Sequence, residues 1–244
     1  MTRLLPLLLG LLVLAVVACT AVEAELEATA TAAPPDHGAA FSILTDDGVH
    51  LSGRLFEHDP HRMVIYLHPY REDQSGWWLW LEEPLPDPPS AITLDFRGHG
   101  ESGGDELDAA NMPRDVEAVL AFARARGYEQ IMLVGAGMGA AAGMVAVADD
   151  PDVPVVGLSA PTEFAELKPI EVAREFRDRL ALVAARDDLS ARESMRQFEE
   201  EARVPFSRLS LWQGREHGSA LVHGPMGQMV RPFIQRMVDE FLPA

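Results

Sequence analysis

From residue 41 to the end of the chain, apolar strands alternate with amphipathic helices, and at residues 131–148 a strand runs through a glycine-rich bend into a small-residue helix. These features, with a length of 244 residues that suits one domain without a large cap, predict an α/β architecture. The sheet should be mostly parallel, with helices on both faces. Hydrophobic residues make up 48% of the chain, enough for a substantial core, and the one cysteine, Cys19, can form no disulfide within the chain.

The elements follow in order. Residues 41–45 and 49–55 are alternating runs joined by Asp46-Asp47-Gly48, which predicts a β-hairpin. After a polar loop, residues 63–67 form a continuous apolar run suited to a strand buried on both faces, and His68-Pro69-Tyr70 follows it. Residues 75–83 carry Trp77, Trp78 and Trp80 in a predicted helix that the proline-rich stretch 84–89 ends. A strand over 91–96 leads to Arg97-Gly98-His99-Gly100-Glu101-Ser102-Gly103-Gly104, whose four glycines require a loop. A helix over 112–126 then leads into the strand-bend-helix unit. Beyond it, strands are predicted at 153–158, 180–184 and 207–212, and helices at 168–179, 190–202 and 225–241.

The N-terminus has a different character. Arg3 precedes an apolar run over residues 4–18, too short to span a bilayer and typical of a signal peptide. Its ending, Val16-Val17-Ala18-Cys19, resembles the lipobox of bacterial lipoproteins, which implies acylation of Cys19 and a membrane anchor. Thr20 after the cysteine fits an outer-membrane destination, with the protein facing periplasm or exterior. Residues 19–40, rich in Ala, Thr, Glu and Pro, read as a tether, and residues 41–244 as the folded domain. The net charge of −18, from 38 acidic and 20 basic residues, excludes a phosphate backbone as partner. No protein partner is legible.

Five motifs carry chemistry: Leu67-His68 after the third strand, Asp95–Ser102 after the fourth, Gly135-Ala136-Gly137-Met138-Gly139 after the fifth, Ala185-Arg186-Asp187-Asp188 after the seventh, and Glu216-His217-Gly218 after the eighth. In this order they resemble a bacterial α/β hydrolase of the serine-hydrolase type over the whole folded part. The resemblance implies a catalytic triad at position 137, Asp188 or its neighbour Asp187, and His217. It also implies an oxyanion hole from the backbone N–H groups of Met138 and Tyr70; Pro69, which has no N–H, stands where the family usually carries glycine. Each motif falls at the carboxyl end of a predicted strand, where parallel sheets build their sites.

The departure is at Gly137. The elbow that should present a serine carries no side chain, so no acyl-enzyme can form there, and loss of the nucleophile in a comparable triad costs about six orders of magnitude. Ser102, Ser159 and Ser219 are alternative hydroxyls, each with a local structural role open to it, and at none of them is the elbow geometry expected. A water activated by His217 is a further route to weak or altered ester hydrolysis. Gly135-x-Gly137-x-x-Ala140 also fits a dinucleotide fingerprint, but the following strand ends Gly157-Leu158-Ser159 without the acidic residue a ribose needs. No cofactor is expected. His58 and His61 flank Asp59-Pro60 at a metal-like spacing in what reads as a surface loop, and the tryptophans suit either an acyl pocket or a helix covering the sheet. The reading is a lipid-anchored protein of ester- or acyl-hydrolase lineage that keeps Asp188 and His217, lacks serine catalysis, and binds an ester or acyl ligand or acts as a scaffold.

Overall fold

The structure, a computed structural model, describes residues 37–83 and 85–244. The signal peptide at 1–18, Cys19 and most of the tether lie outside the described residues. Eight strands form one sheet: β1 Ala39–Leu44, β2 His50–Phe56, β3 Arg62–Leu67, β4 Ser90–Leu94, β5 Gln130–Ala136, β6 Val155–Leu158, β7 Leu180–Ala185 and β8 Leu209–Trp212, in the order β1-β2-β4-β3-β5-β6-β7-β8. β3 to β8 are parallel, and β2 is antiparallel to β1 and β4. The helices are α1 Trp78–Glu82, α2 Met112–Ala125, α3 Met138–Ala146, α4 Leu189–Ala202 and α5 Gly224–Phe241.

The period of two in the central strands builds a core on each face. Met63, Ile65 and Leu67 of β3 point into a layer shared with α2 and α3, whereas Val64 and Tyr66 point into one shared with α5. α2 opens with Pro113 in its first turn and buries Val116, Val119, Leu120 and Ala123, spacings that form one helical face. Trp77 and Trp80 are buried beside Tyr66, and the Arg231 guanidinium of α5 lies 3.9 Å from the Trp80 ring centroid. Trp77 and Trp80 therefore cover the sheet, while Trp78 is half-buried and stacks on His37. Among the described residues no helix is long and apolar enough to cross a membrane.

Several expected boundaries shift. β1 begins at Ala39, so the division drawn between residues 40 and 41 falls inside a strand. The helix expected over 168–179 is instead a 3-10 segment, Pro169–Phe176, in which the β-branched Ile170 and Val172 weaken an α-helix this short. The helix expected over 75–83 divides into a 3-10 turn, Gln74–Trp77, and α1. β6 starts at Val155, after Pro154, which cannot donate to the ladder. β8 starts at Leu209, because Phe206–Arg208 forms a 3-10 turn.

The glycine loop after β4 is tied down by charge. Arg97 is buried and reaches Asp115 at 2.7 Å, Asp108 at 2.8 Å and Asp47 at 2.9 Å, joining the loop to α2 and to the β1–β2 turn. A buried guanidinium needs such partners, since an unpaired charge there would cost several kcal/mol. The hydrogen bond from Arg97, aided by that from Thr45, holds the Asp47 carboxyl down at about 2, below its ordinary 3.8. A carboxyl ionised more readily folded than unfolded contributes stability above the unfolded value and loses it as pH falls through the folded one. Denaturant unfolding should therefore show Asp47→Asn about 1–2 kcal/mol less stable than the parent at neutral pH. That gap should close between about pH 4 and about pH 2.

Candidate active site

β5 ends at Ala136, and the chain turns through Gly137 at φ 48°, ψ −114° before α3 begins at Met138. The turn is tight because α3 sits almost on the sheet: a Cβ on Gly139 would lie 2.4 Å from the Leu67 carbonyl oxygen, and one on Gly135 2.6 Å from the backbone of Ala140. No side chain fits at either place. Gly137 differs. A Cβ there would meet Pro69 Cβ at 3.4 Å and His217 Nε2 at 3.9 Å, ordinary contacts, so a side chain at 137 has room and faces the histidine. Only the backbone opposes it, because a residue with a side chain held at this φ costs about 1–3 kcal/mol.

Asp188 and His217 meet across the loops after β7 and β8. His217 Nδ1 lies 2.5 Å from Asp188 Oδ2. Asp188 is also the N-cap of α4, accepting from the Ala191 N–H at 3.2 Å and from Ser190 Oγ at 2.9 Å. Burial pushes its carboxyl up, but the hydrogen bonds from His217, Ala191 and Ser190 outweigh this and hold it below the ordinary carboxylate range. The Asp188 side chain is 9% exposed and that of His217 57%, so the imidazole stands open to solvent while its partner is fixed beneath it. Asp187 is exposed, and its backbone N–H donates to Gly214 O at 2.9 Å. Of the two neighbouring acids, Asp188 is the one against His217.

Met138 is buried in the first turn of α3, where N–H groups have no acceptor within the helix. Tyr70 follows Pro69, and its ring packs near Phe164 and His99, with centroids at 5.7 and 5.9 Å. The loop is braced by His68, whose Nδ1 meets Pro69 O at 2.8 Å and whose Nε2 accepts from the Phe96 N–H at 3.0 Å. An acceptor at Nε2 fixes the neutral ring with its proton on Nδ1. Burial pushes its pKa down to about 4. This bracing role is not visible in the sequence, because the partner Phe96 lies on another strand's end.

The three serines separate. Ser102 Oγ donates to Asp95 O at 2.7 Å and accepts from the Ser52 N–H at 2.9 Å, stapling the glycine loop to β2. Ser219 Oγ donates to Glu72 Oε2 at 2.5 Å, tying the histidine loop to the loop after β3. Ser159 is buried, and its Oγ accepts from the Gly218 N–H at 3.1 Å. Its φ is 48°, a positive value like that of Gly137, but no helix follows it directly. Between His58 and His61, Asp59 is engaged by the N–H groups of His61 and Arg62 and by the Arg62 guanidinium.

A mostly parallel eight-stranded sheet in this order, with a glycine elbow after β5 and an acid–histidine pair from the loops after β7 and β8, defines the α/β-hydrolase fold. Solved structures of similar fold include esterases. An esterase of Pyrococcus furiosus matches with TM-score 0.70 and 18% identity over 84% of this chain and 91% of its own. Esterase RhEst1 of Rhodococcus matches with TM-score 0.62 and 20% identity over 81% and 99%. Est1E of Butyrivibrio proteoclasticus, solved with ferulic acid bound, matches with TM-score 0.64 and 14% identity over 83% and 99%. No protein-family model matches the sequence, and no curated protein matches it.

The pairing of Asp188 is open to direct measurement. A far-downfield imidazole proton in the NMR spectrum, lost in His217→Ala, should also be lost in Asp188→Asn and kept in Asp187→Asn. Asp188→Ala should further cost about 1 kcal/mol in denaturant unfolding, because it removes the α4 cap as well.

Proposed function

We propose that this chain is a lipid-anchored protein of ester-hydrolase lineage whose site binds an ester or acyl ligand without forming an acyl-enzyme. The observation that carries the reading is the elbow itself. Gly137 has the backbone conformation of a nucleophile position, the Cβ direction faces His217 Nε2 at 3.9 Å, and there is no hydroxyl to attack. His217 would act as the base and Asp188 would orient it. The N–H groups of Met138 and Tyr70 would receive the ligand's carbonyl oxygen.

A second reading rests on the exposure of His217 together with its fixed partner. His217 Nε2 would take a proton from water as the water oxygen attacks the ester carbonyl. The proton would then pass to the departing alkoxide, leaving acid and alcohol. Such a route lacks covalent catalysis, and sites stripped of their nucleophile retain roughly 10³–10⁴-fold over water.

The anchor is proposed at Cys19. Within the domain, Ala39 pairs with Leu55, and neighbouring Phe56 pairs with Ala91 near the start of β4, so β1 begins at the end of the sheet opposite Gly137 and His217. The acidic surface supports neither nucleic acid nor anionic lipid as partner.

Hydrolysis of short-chain aryl esters tests the site. The full-length parent should be near background, and Gly137→Ser should gain at least about 100-fold, a part of the roughly 10⁶-fold that a nucleophile is worth. Adding His217→Ala should abolish the gain. A parent that already turns over, and loses this with His217→Ala, would replace the binding reading with the water route. Membrane fractionation tests the anchor: Cys19→Ala should move the protein from the membrane to the soluble fraction.

A further inference from the structure

The buried serine beside the elbow has no part in the site as described so far, and its geometry needs a cause. Ser159 lies one residue beyond β6. Its N–H donates to Val183 O at 2.8 Å, and the carbonyl of the preceding Leu158 accepts from the Gly137 N–H at 2.9 Å, which makes Ser159 the lateral neighbour of the elbow residue. Five residues other than glycine have positive φ among the described residues: Arg71, Asp87, Ser159, Ala165 and Arg203. Four of these are exposed, and Ser159 is buried. A left-handed conformation is disfavoured for serine, so in the interior something must hold it.

The hydroxyl supplies the hold. Ser159 Oγ accepts from the Gly218 N–H at 3.1 Å, and Gly218 is the residue after His217. Gly218 is itself buried against the elbow: a Cβ on it would lie 3.4 Å from Pro69 Cβ and 3.9 Å from Ala136 Cβ. Without Ser159 this buried N–H would be left without its acceptor, and buried backbone donors rarely are. His217, by contrast, is more than half exposed, so packing does little to fix its ring. Its position depends on Asp188 at one end and on its own backbone at the other.

We propose that Ser159 is a positioning residue for His217: its hydroxyl pins the histidine loop to the end of β6, so that Nδ1 of the imidazole meets Asp188 while Nε2 stays opposite Gly137. The proposal rests on the Asp188–His217 pair as the working part of the site, and not on whether the present chain turns over. It accounts for a serine at a buried positive φ, where glycine would suffer no strain but would leave Gly218 unpaired.

The test is NMR on the full-length protein. The Gly218 amide should exchange slowly with solvent, and the proton between His217 and Asp188 should give a far-downfield signal. Ser159→Ala deletes the acceptor; Ser159→Gly deletes it while also relieving the backbone. Both should broaden or lose the downfield signal with the remaining spectrum folded. Retention of that signal in Ser159→Gly, its absence from the parent, or rapid exchange of Gly218 in the parent would each overturn the proposal. A kinetic arm uses the Gly137→Ser background: adding Ser159→Ala should lower kcat by about 10- to 100-fold, with KM within about a factor of two. An unchanged kcat there also counts against the pin. If Gly137→Ser itself proves inert, the esterase-frame reading fails and the NMR arms still decide the role of Ser159.

Discussion

Everything at the site depends on how closely α3 approaches the end of β3. Gly139 leaves no room for a methyl group between the helix and the Leu67 carbonyl, and that contact forces the sharp turn at Gly137. The same turn starts α3 directly after the carboxyl end of β5. Pro69 then fits between the other parts. It lies 3.4 Å from the Cβ positions of both Gly137 and Gly218, so the loop after β3, the elbow and the histidine loop share one point of contact.

Around this contact the structure uses polar staples rather than apolar packing. Ser159 to Gly218, Ser219 to Glu72 and His68 to Phe96 each join two segments beyond strand ends at the carboxyl edge of the sheet, and Ser102 to Ser52 joins the glycine loop to β2. The Arg97 cluster does the same farther out, at the β1–β2 turn and the start of α2. Loops cannot be buried as strands are, because their backbone groups need partners. Buried side-chain hydrogen bonds meet that need while holding functional groups at fixed positions.

The strands and long helices were legible in the sequence because burial on both faces writes itself as unbroken apolar runs, such as 63–67, and one-sided burial as helical spacing, as at Val116, Val119 and Leu120. The expected placement of His217 and of the neighbouring Asp187 and Asp188 after strand ends followed from topology. The choice between the two acids did not, since it depends on a cap at the start of α4. The 3-10 segment at Pro169–Phe176 was missed because its apolar spacing suits an α-helix as well. The role of Ser159 lay out of reach for a different reason. Nothing in Gly157-Leu158-Ser159-Ala160 announces a positive φ, which arises from a partner 59 residues away.

The features that survive at the site have different physical reasons to survive. Gly135 and Gly139 are required by packing alone, and so would persist in a protein that had abandoned chemistry. Glycine at 137 also avoids the strain that a residue with a side chain would meet at φ 48°. His217 has no such excuse. Its ring is mostly in solvent, fills no core, and could be exchanged for other polar residues at little cost to packing. Asp188 caps a helix, a task that serine or asparagine performs as well without a negative charge. Stability therefore accounts for the glycines and leaves the exposed acid–histidine pair unexplained. The proposed role, holding a ligand or a water, would require both groups together.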